Sequence, residues 1–230
     1  MHHQPVPYGK QSVIPKPKGF FRSSIPAVQR QVIEAVRKGK KAVIFDCDGV
    51  ILADYKSKSE MYYWILREYG FDASIDKVMQ LCCDMGSERL FRAIVPESRQ
   101  KGGIIAMMLQ SVADSILEQV KMIGPTGLLL KTVPAIRKMG AQTGNVTNRY
   151  TGLDYLMEKF SFSECFHFIL SAEHFEPKPS PQMLNRMLEL MKIKPSQAIF
   201  IGDRQSDMDA GKNANIDTYL VKWEYVKKAA

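Results

Sequence analysis

Short apolar runs alternate with helical patterns along most of the chain. Ala42–Phe45 and Ala198–Ile201 are entirely apolar, a pattern typical of strands that are buried on both faces of a parallel sheet. Further strands are predicted to end near Thr147-Asn148 and to occupy Cys165–Leu170 and Thr218–Trp223. Helical segments are predicted between them, at roughly 130–139, 153–160 and 181–191. Alternating strands and helices imply right-handed crossovers, so the pattern predicts an α/β fold with a Rossmann-like parallel sheet.

Residues 55–123 interrupt this alternation with helical patterns alone. Apolar and aromatic side chains recur at helical spacing, and Gly or Pro separates the segments. Four helices are predicted, at roughly 61–70, 74–83, 87–95 and 104–122. No segment of this stretch has the pattern of a strand. The sequence therefore predicts a compact helical insert within the α/β core.

The N-terminal segment has a different character. Residues 1–22 contain four prolines and no apolar period, so they are predicted to form an extended or disordered arm. Ser24 then offers a helix N-cap, and valines recur every four residues up to Gly39, which indicates a short helix.

Three parts of the chain follow from these patterns. Residues 1–40 form a basic arm with a short helix, 41–54 together with 125–230 form the Rossmann-like core, and 55–124 form the helical cap.

Composition indicates an ordinary globular protein. The chain has 230 residues, of which 45% are hydrophobic and 24% are charged, enough for one sizeable domain with an insert. No apolar run approaches the length of a membrane span, and the N-terminus lacks the apolar core of a secretory signal. The four cysteines show no zinc-binding spacing, so we expect reduced thiols and a cytoplasmic location.

The net charge of +8 is concentrated at the N-terminus. Residues 1–41 hold nine Lys or Arg side chains and a single acid, Glu34, so the rest of the chain is neutral. A neutral body argues against nucleic acid as the main partner. We favour a solvated tail for the arm, and leave open an organelle-targeting peptide or an arm that contacts nucleic acid or a membrane surface.

Polar side chains gather where the predicted strands end. Carboxylates, a hydroxyl, an amide and an ammonium follow different strands, and the carboxyl ends of parallel strands meet at one edge of a sheet. These groups belong to Asp46, Asp48, Thr147, Asn148, Lys178, Asp203 and Asp207. Crowded carboxylates need a hard cation, and ligands that are all oxygen favour Mg²⁺ over zinc.

This set of groups suits phosphoryl transfer. An Asp carboxylate such as Asp46 can form an aspartyl-phosphate, and Asp48 can protonate the leaving oxygen and later activate water. Lys178 offsets negative charge near the phosphate, while Thr147 and nearby amides hold its oxygens.

Four segments resemble the motifs of the haloacid dehalogenase superfamily, in the subfamily with an inserted helical cap that includes phosphoglycolate phosphatase and β-phosphoglucomutase. They occur in the order and spacing of that subfamily, which makes the resemblance specific. The segments are Val43-Ile44-Phe45-Asp46-Cys47-Asp48-Gly49-Val50, Val146-Thr147-Asn148, Lys178-Pro179-Ser180-Pro181 and Ile201-Gly202-Asp203-Arg204-Gln205-Ser206-Asp207.

The resemblance implies a role for each matching residue. Asp46 is implied as nucleophile and Mg²⁺ ligand, Asp48 as general acid/base with its backbone carbonyl on the metal, and Thr147 and Asn148 as phosphate ligands. Lys178 is implied as a catalytic and phosphate-binding lysine, Asp203 as a direct metal ligand, and Asp207 as a further acid of the metal site. In the cap, Arg89 is a candidate contact for an anionic substrate group, or else an exposed helix arginine.

Two features bear on these expectations. The strand before Thr147 begins Ala-Gln-Thr-Gly-Asn, which is far more polar than the family's usual strand.

The carboxylate at Asp48 favours a phosphatase that acts on a small phosphorylated metabolite. The alternatives are a sugar phosphomutase of the β-phosphoglucomutase type and a catalytically silent binding protein that uses the basic arm. Substrate identity and oligomeric state are beyond the sequence.

Overall fold

The computed structural model describes residues 14–228; most of the predicted N-terminal arm lies outside this range. The strands are β1 (Gly19–Ser23), β2 (Ala42–Phe45), β3 (Leu52–Ala53), β4 (Gly124–Pro125), β5 (Gln142–Thr147), β6 (Phe168–Ser171), β7 (Ala198–Gly202), β8 (Asp217–Leu220) and β9 (Trp223–Lys227). The α-helices are α1 (Ile25–Arg37), α2 (Tyr55–Glu68), α3 (Ile75–Asp84), α4 (Ser87–Ile94), α5 (Ile104–Lys121), α6 (Val133–Lys138), α7 (Leu153–Lys159), α8 (Phe162–Cys165), α9 (Gln182–Met191) and α10 (Gln205–Asn213).

One compact unit, residues 23–53 and 124–223, contains the main sheet. Its five strands are all parallel, in the order β6-β5-β2-β7-β8. Fully buried side chains on one face, among them Ile44, Met187 and Phe200, join the sheet to α9 and α10. Burying one such side chain contributes roughly 1.5–3 kcal/mol. This architecture confirms the predicted α/β fold with a parallel sheet.

The second unit combines residues 54–123 with 14–22 and 224–228. The insert is helical: α3 to α5 lie close to the positions predicted from periodicity, whereas α2 begins at Tyr55, six residues before its predicted start. Residues of both chain ends pack within this unit: the Phe21 ring lies 5.8 Å from that of Tyr55, and Tyr225 donates a hydrogen bond to Asp76. Helix α1 groups with the sheet unit rather than with the arm, and the predicted three-part domain division remains a prediction.

Two strand predictions are wrong at their ends. Cys165 closes the one-turn helix α8, and the strand in this region starts only at Phe168. The predicted strand Thr218–Trp223 is split into β8 and β9, because Trp223 begins the strand that pairs with β1.

The pairing of β1 with β9 could not be read from local patterns. Residues 19–22 were expected to be part of an extended arm, but in β1 they gain a partner roughly 200 residues further along the chain. Lys228 N donates to Lys18 O at one end of the pair, and Ser24 N donates to Lys222 O at the other.

Among the described residues, no helix combines the length and apolarity that a bilayer span requires.

Candidate active site

The carboxyl ends of three neighbouring strands carry the candidate catalytic side chains. Asp46 follows β2, Thr147 ends β5, and Asp203 follows β7. Because β2 lies between β5 and β7 in the sheet, these residues come together at one edge. Lys178 reaches the same edge from the loop between β6 and α9, where the Lys178–Pro179 peptide bond is cis.

Lys178 joins two buried carboxylates. Its Nζ lies 2.5 Å from Asp46 Oδ1 and 2.6 Å from Asp207 Oδ1, and 3.4 Å from the backbone oxygen of Val146. All three charged side chains are less than a tenth exposed. Ion pairs removed from water to this degree survive only with such close and multiple contacts.

Burial and neighbouring charges both shift the pKa values of Asp46 and Lys178. Burial raises the pKa of Asp46 well above its ordinary value; the Lys178 ammonium opposes the rise, and the Asp207 and Asp203 carboxylates add to it. Burial lowers the pKa of Lys178, but Asp46 and Asp207 outweigh it, so that this pKa is raised overall. The two neighbouring carboxylates therefore favour the charged form of Lys178.

Asp207 anchors the loop that follows β7. Its Oδ2 accepts hydrogen bonds from Asp203 N at 3.1 Å and Arg204 N at 2.9 Å, which caps the start of α10. The close approach depends on Gly202, because a Cβ atom there would collide with the Asp207 side chain. Asp207 thus fixes the backbone that carries Asp203.

Three carboxylates offer a cation site. Oxygen atoms of Asp46, Asp203 and Asp207 lie within 4.8 Å of one another. Three carboxyl groups stand beside the Lys178 ammonium and the Arg204 guanidinium, which lies 3.6 Å from Asp203 Oδ2, and all the ligand atoms are oxygen. A hard divalent cation such as Mg²⁺ fits this donor set and its excess negative charge.

Asp48 is held by an arginine that the sequence analysis missed. Arg149 Nε lies 3.0 Å and 2.9 Å from the two Asp48 carboxylate oxygens, and Arg149 is only 8% exposed. A buried guanidinium beside a candidate acid/base is a strong sign of function. Arg149 directly follows Thr147-Asn148 in the chain, and this adjacency was the available signal.

The two predicted phosphate ligands make different contacts. Thr147 Oγ1 accepts a hydrogen bond from Arg149 N at 3.0 Å. The Asn148 side chain is bound to the backbone of Lys178, since its Nδ2 donates to Lys178 O at 3.1 Å and its Oδ1 accepts from Lys178 N at 2.8 Å. The Asn148 amide thus holds the loop that presents the lysine.

Arg89 lies in the helical unit, away from this group in the chain. It is exposed on α4. Its role as a contact for an anionic substrate group remains a prediction.

Known proteins resemble this chain in sequence. The family model "Haloacid dehalogenase-like hydrolase" matches residues 43–221. A phosphoglycolate phosphatase of Aquifex aeolicus is 23% identical over 189 residues, which cover 81% of this chain and 87% of that protein. A pyrophosphatase PpaX of Bacillus cereus is 33% identical over 95 residues, which cover 40% of this chain and 44% of that protein.

Solved structures resemble the fold. A HAD-superfamily hydrolase of subfamily IA from Geobacter sulfurreducens superposes with a TM-score of 0.63 at 22% identity, over 79% of this chain and 87% of that one. A HAD family hydrolase from Deinococcus radiodurans, solved with bound phosphate and sodium, superposes with a TM-score of 0.61 at 17% identity, over 78% and 80% of the chains.

Proposed function

Because the chain belongs to the haloacid dehalogenase-like hydrolase family, we propose that it is a Mg²⁺-dependent phosphatase that hydrolyses a small phosphorylated metabolite through an aspartyl-phosphate on Asp46. One observation carries the proposal: a buried Asp46 carboxylate is ion-paired to Lys178 and lies beside the carboxylates of Asp203 and Asp207. This arrangement supports the proposal because the proposed nucleophile, the Lys178 side chain and the proposed metal ligands lie together at one sheet edge.

Asp46 performs the first step in this proposal. One carboxylate oxygen attacks the phosphorus atom, and the bond between phosphorus and the substrate oxygen breaks. The ion pair with Lys178 fixes Oδ1 of Asp46 and so orients the whole carboxylate. Asp48 gives its proton to the departing oxygen, which leaves as an alcohol.

Water completes the reaction. Asp48, now ionised, takes a proton from a water molecule as the water oxygen attacks the phosphorus of the aspartyl-phosphate. The bond from phosphorus to Asp46 breaks, inorganic phosphate is released, and both aspartates return to their starting state. Retention of the phosphate until a second hydroxyl arrives would instead give the mutase reaction.

The remaining groups would contact the phosphate oxygens or hold the metal ion. The Lys178 ammonium and the Thr147 hydroxyl would contact the phosphate oxygens, whose negative charge shifts during transfer. Asp46 and Asp203, with the backbone carbonyl of Asp48, would hold Mg²⁺, and Asp207 would support them through the loop after β7. The bound ion would neutralise the crowded carboxylates and polarise the phosphorus–oxygen bond.

The named relatives suggest the substrate class. One is a phosphoglycolate phosphatase and another a pyrophosphatase, so a small phosphorylated metabolite is the class to test first. The panel should include 2-phosphoglycolate, pyrophosphate and sugar monophosphates, with phosphate release as the readout.

The decisive comparison is between the wild type and Asp46→Asn, each with Mg²⁺ present or chelated. We expect turnover that disappears with either change. Turnover that survives Asp46→Asn would overturn the covalent mechanism. A wild type that releases no phosphate from any substrate would favour the silent binding protein, and conversion of one sugar phosphate into its isomer would favour the mutase.

A further inference from the structure

A polar side chain stands in the middle of the parallel sheet, next to the nucleophile's strand. Asn145 on β5 is fully buried, at a position where parallel strands usually carry apolar residues. Its Nδ2 donates a 2.9 Å hydrogen bond to Phe45 O. Its Oδ1 has no hydrogen-bond partner among the described residues. A half-satisfied buried amide destabilises the fold, so its presence needs a reason other than packing.

The hydrogen bond falls on the peptide group that leads into Asp46. Phe45 O accepts from Asn145 on one side, and Asp46 N donates to Ile201 O at 2.8 Å on the other. The peptide before the nucleophile is therefore held from both neighbouring strands. Since Phe45 O is an acceptor, only an NH-donating side chain or a hydroxyl at position 145 can hold it in this way.

We infer that Asn145 is a positioning residue for the proposed reaction: its amide fixes the Phe45–Asp46 peptide and thereby aims the Asp46 carboxylate. The inference rests on the proposed function of Asp46. Lys178 restrains the same residue at the far end of its side chain, so the backbone and the carboxylate are held separately. A nucleophile must be placed to within about 0.5 Å, and a shift of about 1 Å can cost about 100-fold in rate.

Thr143 provides a matched control on the same strand and the same face. It is also fully buried, and its Oγ1 donates to Cys165 O at 2.7 Å. It lies four residues before Thr147, at the opposite end of β5 from the catalytic edge. Thr143→Val therefore removes a part-buried polar contact between β5 and the end of α8 without touching the peptide of Asp46.

The experiment measures kcat and KM for the wild type, Asn145→Leu, Asn145→Ala, Thr143→Val and Asp46→Asn, with folding of each checked by circular dichroism. We expect both Asn145 variants to lose about 10- to 100-fold in kcat, with KM within about twofold of the wild type, while Thr143→Val retains wild-type kcat. If the leucine variant does not fold, the smaller alanine variant decides.

Two results would overturn the inference. One is wild-type kcat in a folded Asn145 variant, and the other is an equal loss in Thr143→Val, which would indicate a general effect on the sheet. Failure of the proposed function is distinct, because it would appear as turnover by Asp46→Asn or as an inactive wild type.

Discussion

Arg149 Nε contacts both carboxylate oxygens of Asp48, at 3.0 Å and 2.9 Å. The two residues are about 100 positions apart in the chain and meet because β2 and β5 are neighbours in the sheet. Asp48 is the proposed general acid/base, so this contact sets the direction of its carboxyl group before a substrate arrives. It also supplies a buried positive charge that the sequence motifs do not include.

Replacing Arg149 should slow turnover through Asp48. Arg149→Met leaves the Asp48 carboxylate without its fixed partner, and we expect kcat to fall about 10- to 100-fold. In an Asp48→Asn background the same replacement should cost much less, because residues that act as a unit are not additive. Steady-state kinetics on the wild type, Arg149→Met, Asp48→Asn and the double variant test this coupling. Arg186→Met is the control, since Arg186 makes a half-exposed surface pair with Glu189; equal losses by Arg149→Met in both backgrounds would contradict the coupling.

The strands that carry the site could be predicted because their signals are local. Ala42–Phe45 and Ala198–Ile201 are apolar runs followed by acids, and the structure has β2 and β7 there. The four motifs identified the family for the same reason, since each is a short segment. A motif does not show which residue each of its side chains contacts, because that partner lies on another strand or loop.

The missed features all depend on distant contacts. Nothing in the sequence singled out Arg149 without its contact with Asp48, and the motifs did not show that Asn148 binds the Lys178 backbone. The polar character of β5 looked like a departure from the family, yet Asn145 bonds to Phe45 across the sheet. Strand β1 likewise exists because β9 pairs with it.

Removing the Asn148 side chain should act on catalysis through Lys178. Asn148→Ala takes away the acceptor of Lys178 N and the donor to Lys178 O, and we expect kcat to fall about tenfold because the ammonium is less well placed. In a Lys178→Met background the change should have little further effect. A direct phosphate ligand would behave differently, with a raised KM and an undiminished loss in that background. Asn213→Ala is the control, because Asn213 makes one longer bond, 3.4 Å, to the neighbouring Pro179 O.

Alkaline pH should weaken the contact between Tyr225 and Asp76. The pKa of Tyr225 is raised to about 12, first by burial and then by its hydrogen bond to Asp76. A folded-state pKa above the unfolded value of about 10 means that the stabilisation is complete below pH 10 and is lost as the pH rises toward 12.

The measurement is the free energy of unfolding in urea for the wild type and Tyr225→Phe. At pH 8 we expect the variant to be less stable by about 1 kcal/mol, and at pH 11 the difference should be clearly smaller. Tyr155→Phe serves as the control, since Tyr155 is 42% exposed. A difference that stays constant from pH 8 to pH 11 would contradict the raised pKa of Tyr225, and no difference at pH 8 would mean that the hydroxyl contact does not contribute to stability.

We expect Asp203 to act mainly as a metal ligand and Asp207 to act mainly by stabilising the fold. Both oxygens of Asp207 are engaged, one by Lys178 at 2.6 Å and the other by two backbone amides. Asp203 shares the carboxylate cluster with Asp46, and its Oδ2 lies 3.6 Å from Arg204 Nε. As a proposed direct Mg²⁺ ligand it should bear on the metal, so we expect Asp203→Asn to raise the Mg²⁺ concentration for half-maximal activity at least about tenfold, with little change in Tm.

Asp207→Asn should lower the thermal stability and change the Mg²⁺ requirement comparatively little. It breaks a buried ion pair, which typically costs about 3–5 kcal/mol, so Tm should fall by several degrees while the Mg²⁺ requirement of the remaining activity changes less than in Asp203→Asn. Thermal unfolding without Mg²⁺ and activity titrations with Mg²⁺ measure the two effects independently. If Asp207→Asn kept the wild-type Tm and raised the Mg²⁺ requirement as much as Asp203→Asn, Asp207 would have to be assigned as a metal ligand, and its bonds to Lys178 and the amides would be secondary.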